Sequence, residues 1–232
     1  MNAKNLSERL KTVASFVPEN SIIADIGSDH AYLPCYLVHS GKISRAIAGE
    51  VVKGPFESAQ KQVKSEGLEK HIDVRFGDGL EVIQPTDGVQ TVTIAGMGGP
   101  LIAAILEEGK ERLLTVETLI LQPNIHAKAI REWAINNEWK IIDETILEEH
   151  GKIYEIIMLK RGKMTLTDRE LLFGPILINN KSVVFEKKWI NESNEWRRIL
   201  DQFNKINFTP EVKQKKEELE HKIALVEEAL NA

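Results

Sequence analysis

The chain has 232 residues, 42% hydrophobic and 28% charged, which suits a soluble globular protein with one full α/β domain and an appendage. Its formal net charge of −5 excludes a uniformly basic nucleic-acid binder but not a local basic patch. No apolar run is long enough to span a bilayer, the N-terminus is polar, and the lone Cys35 can form neither an internal disulfide nor a zinc cluster, so a cytoplasmic protein without membrane or metal is expected.

Leu6, Leu10, Val13, Ala14 and Val17 recur at helical spacing and predict an opening helix that ends at Pro18-Glu19-Asn20. Strands are expected at Ile22–Ile26, Ala46–Glu50, Ile72–Phe76, Thr91–Ala95 and Thr118–Leu121. Helices are expected at Tyr32–His39, Phe56–Ser65, Leu101–Leu106 and Ala127–Asn136. Lys140–Leu147 and Tyr154–Lys160 read as two strands joined by a hairpin-like turn. This alternation implies a parallel sheet with helices on both faces, closed by an antiparallel hairpin.

After Arg161-Gly162 the alternation stops. Thr167-Asp168-Arg169-Glu170 has the form of a capping box. Trp189, Trp196 and Phe203 then recur every seven residues, as do Val212, Leu219 and Val226. With a turn at Phe208-Thr209-Pro210, the pattern predicts an antiparallel coiled-coil hairpin. Residues 1–162 are therefore read as an α/β domain and 163–232 as a helical one. Charges in the tail are balanced.

Acids stand at the ends of the first three strands: Asp25 and Asp29, Glu50, and Asp78. The C-terminal ends of parallel strands share one rim, where ligands bind. Dinucleotide sites carry G-x-G-x-x-G after the first strand. Here only the first glycine, Gly27, is present, followed by Ser28 and Asp29. An acid in that turn repels a pyrophosphate and suits a cationic group such as a sulfonium, which favours S-adenosyl-L-methionine over NAD or FAD. Glu50, 25 positions after Asp25 with Val51 beside it, is placed to accept from ribose hydroxyls. Asp78, followed by Gly79, could accept from an adenine amino group. Each acid has a plainer reading: a helix cap for Asp29, a solvated strand end for Glu50, an Asp-Gly turn for Asp78. The set is more telling than its members. Ala95-Gly96-Met97-Gly98-Gly99 after the fourth strand lets backbone approach a ligand, and Gln122 and Asn124 end the fifth strand at the same rim.

The segments Ala24–Pro34, Ile94–Gly99 and Leu121–His126 resemble those of the bacterial tRNA (adenine-22-N1)-methyltransferases, over about residues 6 to 160. The resemblance implies a Rossmann-like, seven-stranded class I methyltransferase fold with a C-terminal helical coiled-coil hairpin. It implies a tRNA substrate and S-adenosyl-L-methionine, with Gly27, Ser28 and Asp29 at its methionine end. Glu50 and Val51 then lie at the ribose, Asp78 and Gly79 at the adenine, and Ala95, Gly96 and Met97 beside the methyl group. Asp29 and Tyr32 are the candidate catalytic residues, one stabilising the cationic product ring and the other stacking on the target base. His30, Gln122 and Asn124 are candidate substrate contacts. Arg9, Lys11, Lys53, Lys128 and Arg131 are candidate phosphate contacts. A monomer or weak dimer is expected. Two alternatives stay open: methylation of another RNA or of a small molecule, and a non-catalytic adaptor that binds the cofactor and presents its coiled coil.

Overall fold

The computed structural model describes residues 2–203 and 210–231, in two compact units, Met1–Leu166 and Thr167–Ala232. In the first, Ser7 accepts from the Leu10 N–H and caps helix α1, Glu8–Phe16. The elements that follow are β1 (Ile23–Ile26), α2 (Tyr32–His39), β2 (Ala46–Glu50), α3 (Lys53–Ser65), β3 (Ile72–Phe76), β4 (Thr91–Gly98), α4 (Gly99–Glu108), β5 (Thr118–Ile125), α5 (Lys128–Asn136), β6 (Trp139–Glu149) and β7 (Lys152–Arg161).

The seven strands form one sheet in the order β3-β2-β1-β4-β5-β7-β6. The first five are mutually parallel, and β7 runs antiparallel to both β5 and β6. β1 and β2 are buried along their whole length, as strands covered on both faces must be. Val13 and Ala14 of α1 pack in one core cluster with Ile23, Leu33, Cys35, Leu37 and Ile120. Cys35 is fully buried there, and burial pushes its thiol up to about 12, as expected of an inert core thiol.

The chain winds outward from β1 through β2 to β3, then returns to lay β4 on the other side of β1. Connections leaving the C-terminal ends of β1 and β4 therefore diverge and open a crevice between them.

Two strands run further than their residues suggest. β4 continues through Gly96-Met97-Gly98 and β5 through Pro123-Asn124-Ile125, runs dominated by Gly, Pro and Asn, which strands disfavour. They pair with irregular register, with shifts between Ala95 and Met97 and between Met97 and Gly98. The glycine run meets backbone as well as any ligand: a Cβ on Gly99 would lie 2.1 Å from the His126 carbonyl oxygen.

In the second unit, Thr167 accepts from the Glu170 N–H while Glu170 accepts from the Thr167 N–H, a complete capping box on α6, Asp168–Phe173. α7 (Leu177–Asn180), α8 (Val183–Phe203) and α9 (Pro210–Asn231) follow. Trp189 is buried edge-on to Phe173, with ring centroids 4.6 Å apart, and Leu219 and Val226 are buried from α9. Arg197 pairs with Glu227 at 2.8 Å, and Lys222 lies over the Trp196 ring, so α8 and α9 pack side by side. Of the expected turn, Phe208 and Thr209 lie outside the described residues.

Candidate active site

The turn after β1 is anchored from below. Asp25 is buried and accepts from the Ser28 hydroxyl at 2.5 Å and the Thr93 hydroxyl at 2.6 Å. Burial raises its pKa to about 6 despite these two bonds. The N–H groups of Gly27 and Ser28 both donate to the Gly49 carbonyl, tying the turn to β2. Gly27 has φ +69°, and a Cβ there would lie 2.2 Å from Met97 Cε. His30 and Ala31 follow with φ of 60° and 52°, two consecutive non-glycine residues in the left-handed region. Such strain gathers at functional sites. It turns Asp29 outward, where its carboxylate is largely exposed and 3.6 Å from His30 Nε2. The imidazole of His30 stacks on Tyr32, with centroids 5.1 Å apart and planes 12° from parallel.

Glu50 ends β2 and is 6% exposed. It accepts from the backbone N–H groups of Val51 and Val52, and burial together with the charge of Asp29 raises its pKa. The two acids repel each other, so a bound cation stabilises both. Asp78 stands exposed at the end of β3, where its side chain caps no helix.

At the ends of β4 and β5, side chains replace the interrupted ladder. Gln122 Oε1 accepts from the Gly96 N–H at 3.0 Å and from Arg9 Nη1. Asn124 Nδ2 donates to the Gly96 carbonyl at 2.7 Å and its Oδ1 accepts from Gln122. Gly96 is thus held on both its polar groups. Arg9, Gly27, Asp29 and Ala95 line one pocket, with Leu10 and Leu33 as its apolar wall.

The structure gathers Gly27, Ser28, Asp29, Ala95 and Arg9 around this pocket. Two expectations need correction. Arg131 cannot reach a phosphate: it is fully buried, with Nη2 2.7 Å from both Glu144 Oε1 and Glu155 Oε2. Gln122 is fully buried too, so it acts on the site through Gly96 and Arg9 rather than by touching substrate. Ser28 lines the pocket, its hydroxyl donating to Asp25 and its N–H to the Gly49 carbonyl. Of the other candidate phosphate contacts, Lys11 and Lys128 are paired with Glu8 and Glu132.

Some site residues escaped the sequence reading. Thr93 looks like any strand threonine until the register sets it beside Asp25. Val52, Phe76 and Ile125 are each more than half exposed at or just past strand ends on the same rim. Phe76 meets Phe56 edge-on at 5.5 Å. Val52 lies two residues after the strand-end acid Glu50, and its only signal was the apolar pair Val51-Val52 there.

The profile of the tRNA (adenine(22)-N(1))-methyltransferase family matches residues 23–228. The chain belongs to this family. The tRNA (adenine(22)-N(1))-methyltransferase of Bacillus subtilis is 48% identical over 237 residues, spanning 100% of this chain and 99% of the relative. The crystal structure of the B. subtilis M1A22 tRNA methyltransferase TrmK superposes with a TM-score of 0.92 over 97% of this chain and 99% of its own, at 48% identity. Streptococcus pneumoniae Sp1610 in complex with S-adenosyl-L-methionine gives 0.89 at 45% identity, over 97% of this chain and 100% of that one.

Proposed function

We propose that the chain methylates N1 of adenine 22 in tRNA, with S-adenosyl-L-methionine as methyl donor. The full-length similarity to the B. subtilis enzyme carries this reading. The crevice fits the donor: it has exposed and buried carboxylates at consecutive strand ends and a closely approached backbone at Gly27. The donor supplies a sulfonium methyl group to an attacking lone pair.

The residues present divide the work. Glu50 accepts from ribose hydroxyls beside Val51, while Asp78 and Gly79 flank the adenine. Gly27 and Asp29 border the methionine end. Ala95, Gly96 and Met97 border the reacting centre, and the Gln122–Asn124 clamp fixes Gly96 there. N1 of adenine has an in-plane lone pair and no proton to lose, so positioning and exclusion of water contribute more than a general base. Tyr32, half-covered by His30, offers a stacking face for an extruded base. The Asp29 carboxylate stabilises the cationic ring that forms. The first unit performs this chemistry, and the second contacts the tRNA body in the cytoplasm.

The deciding experiment incubates the protein with unmodified tRNA and labelled donor, then reads the product by primer extension. A stop opposite position 22, lost in a transcript with guanine there, is the expected result. Label in other RNA alone, or donor binding without turnover, would replace this reading with one of its alternatives.

A further inference from the structure

We propose that Ile125 is the wedge that fills the gap left in the tRNA stack when the target adenine is extruded; this rests on the reaction assigned above. An adenine cannot present N1 from within a paired stack, and apolar side chains inserted between bases hold such a gap open. Ile125 is the last residue of β5, and its side chain is 62% exposed. It pairs with Gly98 at the end of β4, and a Cβ on Gly98 would lie 3.9 Å from Ile125 Cγ1. It follows Asn124, whose amide holds the Gly96 carbonyl.

The side chain is exposed, but its backbone is held on both sides. Asn124, before it, is tied to β4. His126, after it, turns the chain at φ 58°, and its carbonyl oxygen packs so closely on Gly99 that a Cβ there would lie 2.1 Å away. Isoleucine is branched at Cβ and stiff about χ1, so it loses little freedom on insertion. Charge sets the direction of approach. The first three strands lead into Asp29, Glu50 and Asp78, which repel phosphates, and the exposed Val52 and Phe76 lie on that side. Residues 88–106 and 118–131, which hold β4, β5 and the turns after them, contain no acid, although the chain carries a net charge of −5. A polyanion is therefore admitted over the ends of β4 and β5. Ile125 stands there, and Leu101, 55% exposed on the first turn of α4, adds a second apolar surface.

Single-turnover methylation by wild type and I125A on two tRNAs tests this, one intact and one with an abasic unit facing position 22. A parallel binding series carries 2-aminopurine at position 22, whose fluorescence rises on unstacking. The proposal expects I125A to methylate the intact tRNA at least about tenfold more slowly and to show a smaller fluorescence rise, with donor affinity within about twofold of wild type. On the second tRNA, where the adenine is already loosely held, the two proteins should differ by less than about threefold. I125M, which keeps the apolar bulk, should recover most of the rate on the intact tRNA. Equal losses on both tRNAs would mean that Ile125 shapes the site without opening the stack and would overturn the proposal. So would a wild-type rate and fluorescence rise in I125A. If wild type methylates neither tRNA at position 22, the assigned reaction itself fails, a result distinct from both.

Discussion

Asn124 donates from Nδ2 to the carbonyl oxygen of Gly96 across the break in register between β4 and β5. One amide side chain thus stands in for a missing rung of the sheet ladder. Gln122 supplies the other, on the Gly96 N–H. Backbone at this break is positioned by side chains rather than by a regular strand pair.

Replacing Asn124 with Ala should slow methyl transfer by about tenfold or more, because small misplacements at a reacting centre are costly. It should lower stability by only about 1 kcal/mol, since the bond is exposed. Single-turnover rates set beside urea unfolding separate the two effects. A rate loss no larger than the stability loss predicts would refute the positioning role.

Gly27→Ala places a side chain at φ +69° and 2.2 Å from Met97 Cε. The strain and the collision together should destabilise the fold by about 1–3 kcal/mol and weaken donor binding. Adding Met97→Ala should relieve the collision but leave the strain, so the double variant recovers only in part. Denaturant melts of the single and double variants measure this.

Arg131→Met removes the cation from a buried pair of carboxylates. A loss of about 3–5 kcal/mol is expected, the cost of leaving buried charge uncompensated. At a temperature where the variant is folded, its tRNA affinity, read by fluorescence anisotropy, should equal that of wild type. Weak tRNA binding with an unchanged melting temperature would contradict the burial argument.

Asp25 has a folded pKa of about 6, above its ordinary value of 3.8. Between these values the folded state holds a proton that the unfolded chain has released. Stability from this group is therefore greatest below about pH 4 and is lost as pH rises through 6. Asp25→Asn cannot titrate. Wild type should accordingly gain on Asp25→Asn, by on the order of 2–3 kcal/mol, as pH falls from 7 to 4. Parallel stability curves for the two proteins would show that Asp25 keeps an ordinary pKa.

Residues 1–166, expressed alone, should bind the donor with affinity near that of the full chain and bind tRNA at least about tenfold more weakly. Equal tRNA affinity would assign the second unit a scaffolding role instead.

The sequence by itself determined much of the frame. Each of α2, β2 and β3 begins and ends where its apolar pattern and flanking turn residues place it. The acids at strand ends were equally legible, since strand polarity alone puts Asp29, Glu50 and Asp78 on one rim. Tertiary structure decided what the side chains there do. Arg131 reads as a surface cation on an amphipathic helix, and only the arrival of β6 and β7 brings Glu144 and Glu155 to bury it. Gln122 reads as a polar strand end until the interrupted ladder beside it draws its amide inward. The physical reason is range. Periodicity, caps and turns act over a few residues and leave a local signature. Burial of a charge or an amide depends on partners tens of residues away, and the fold alone brings those together.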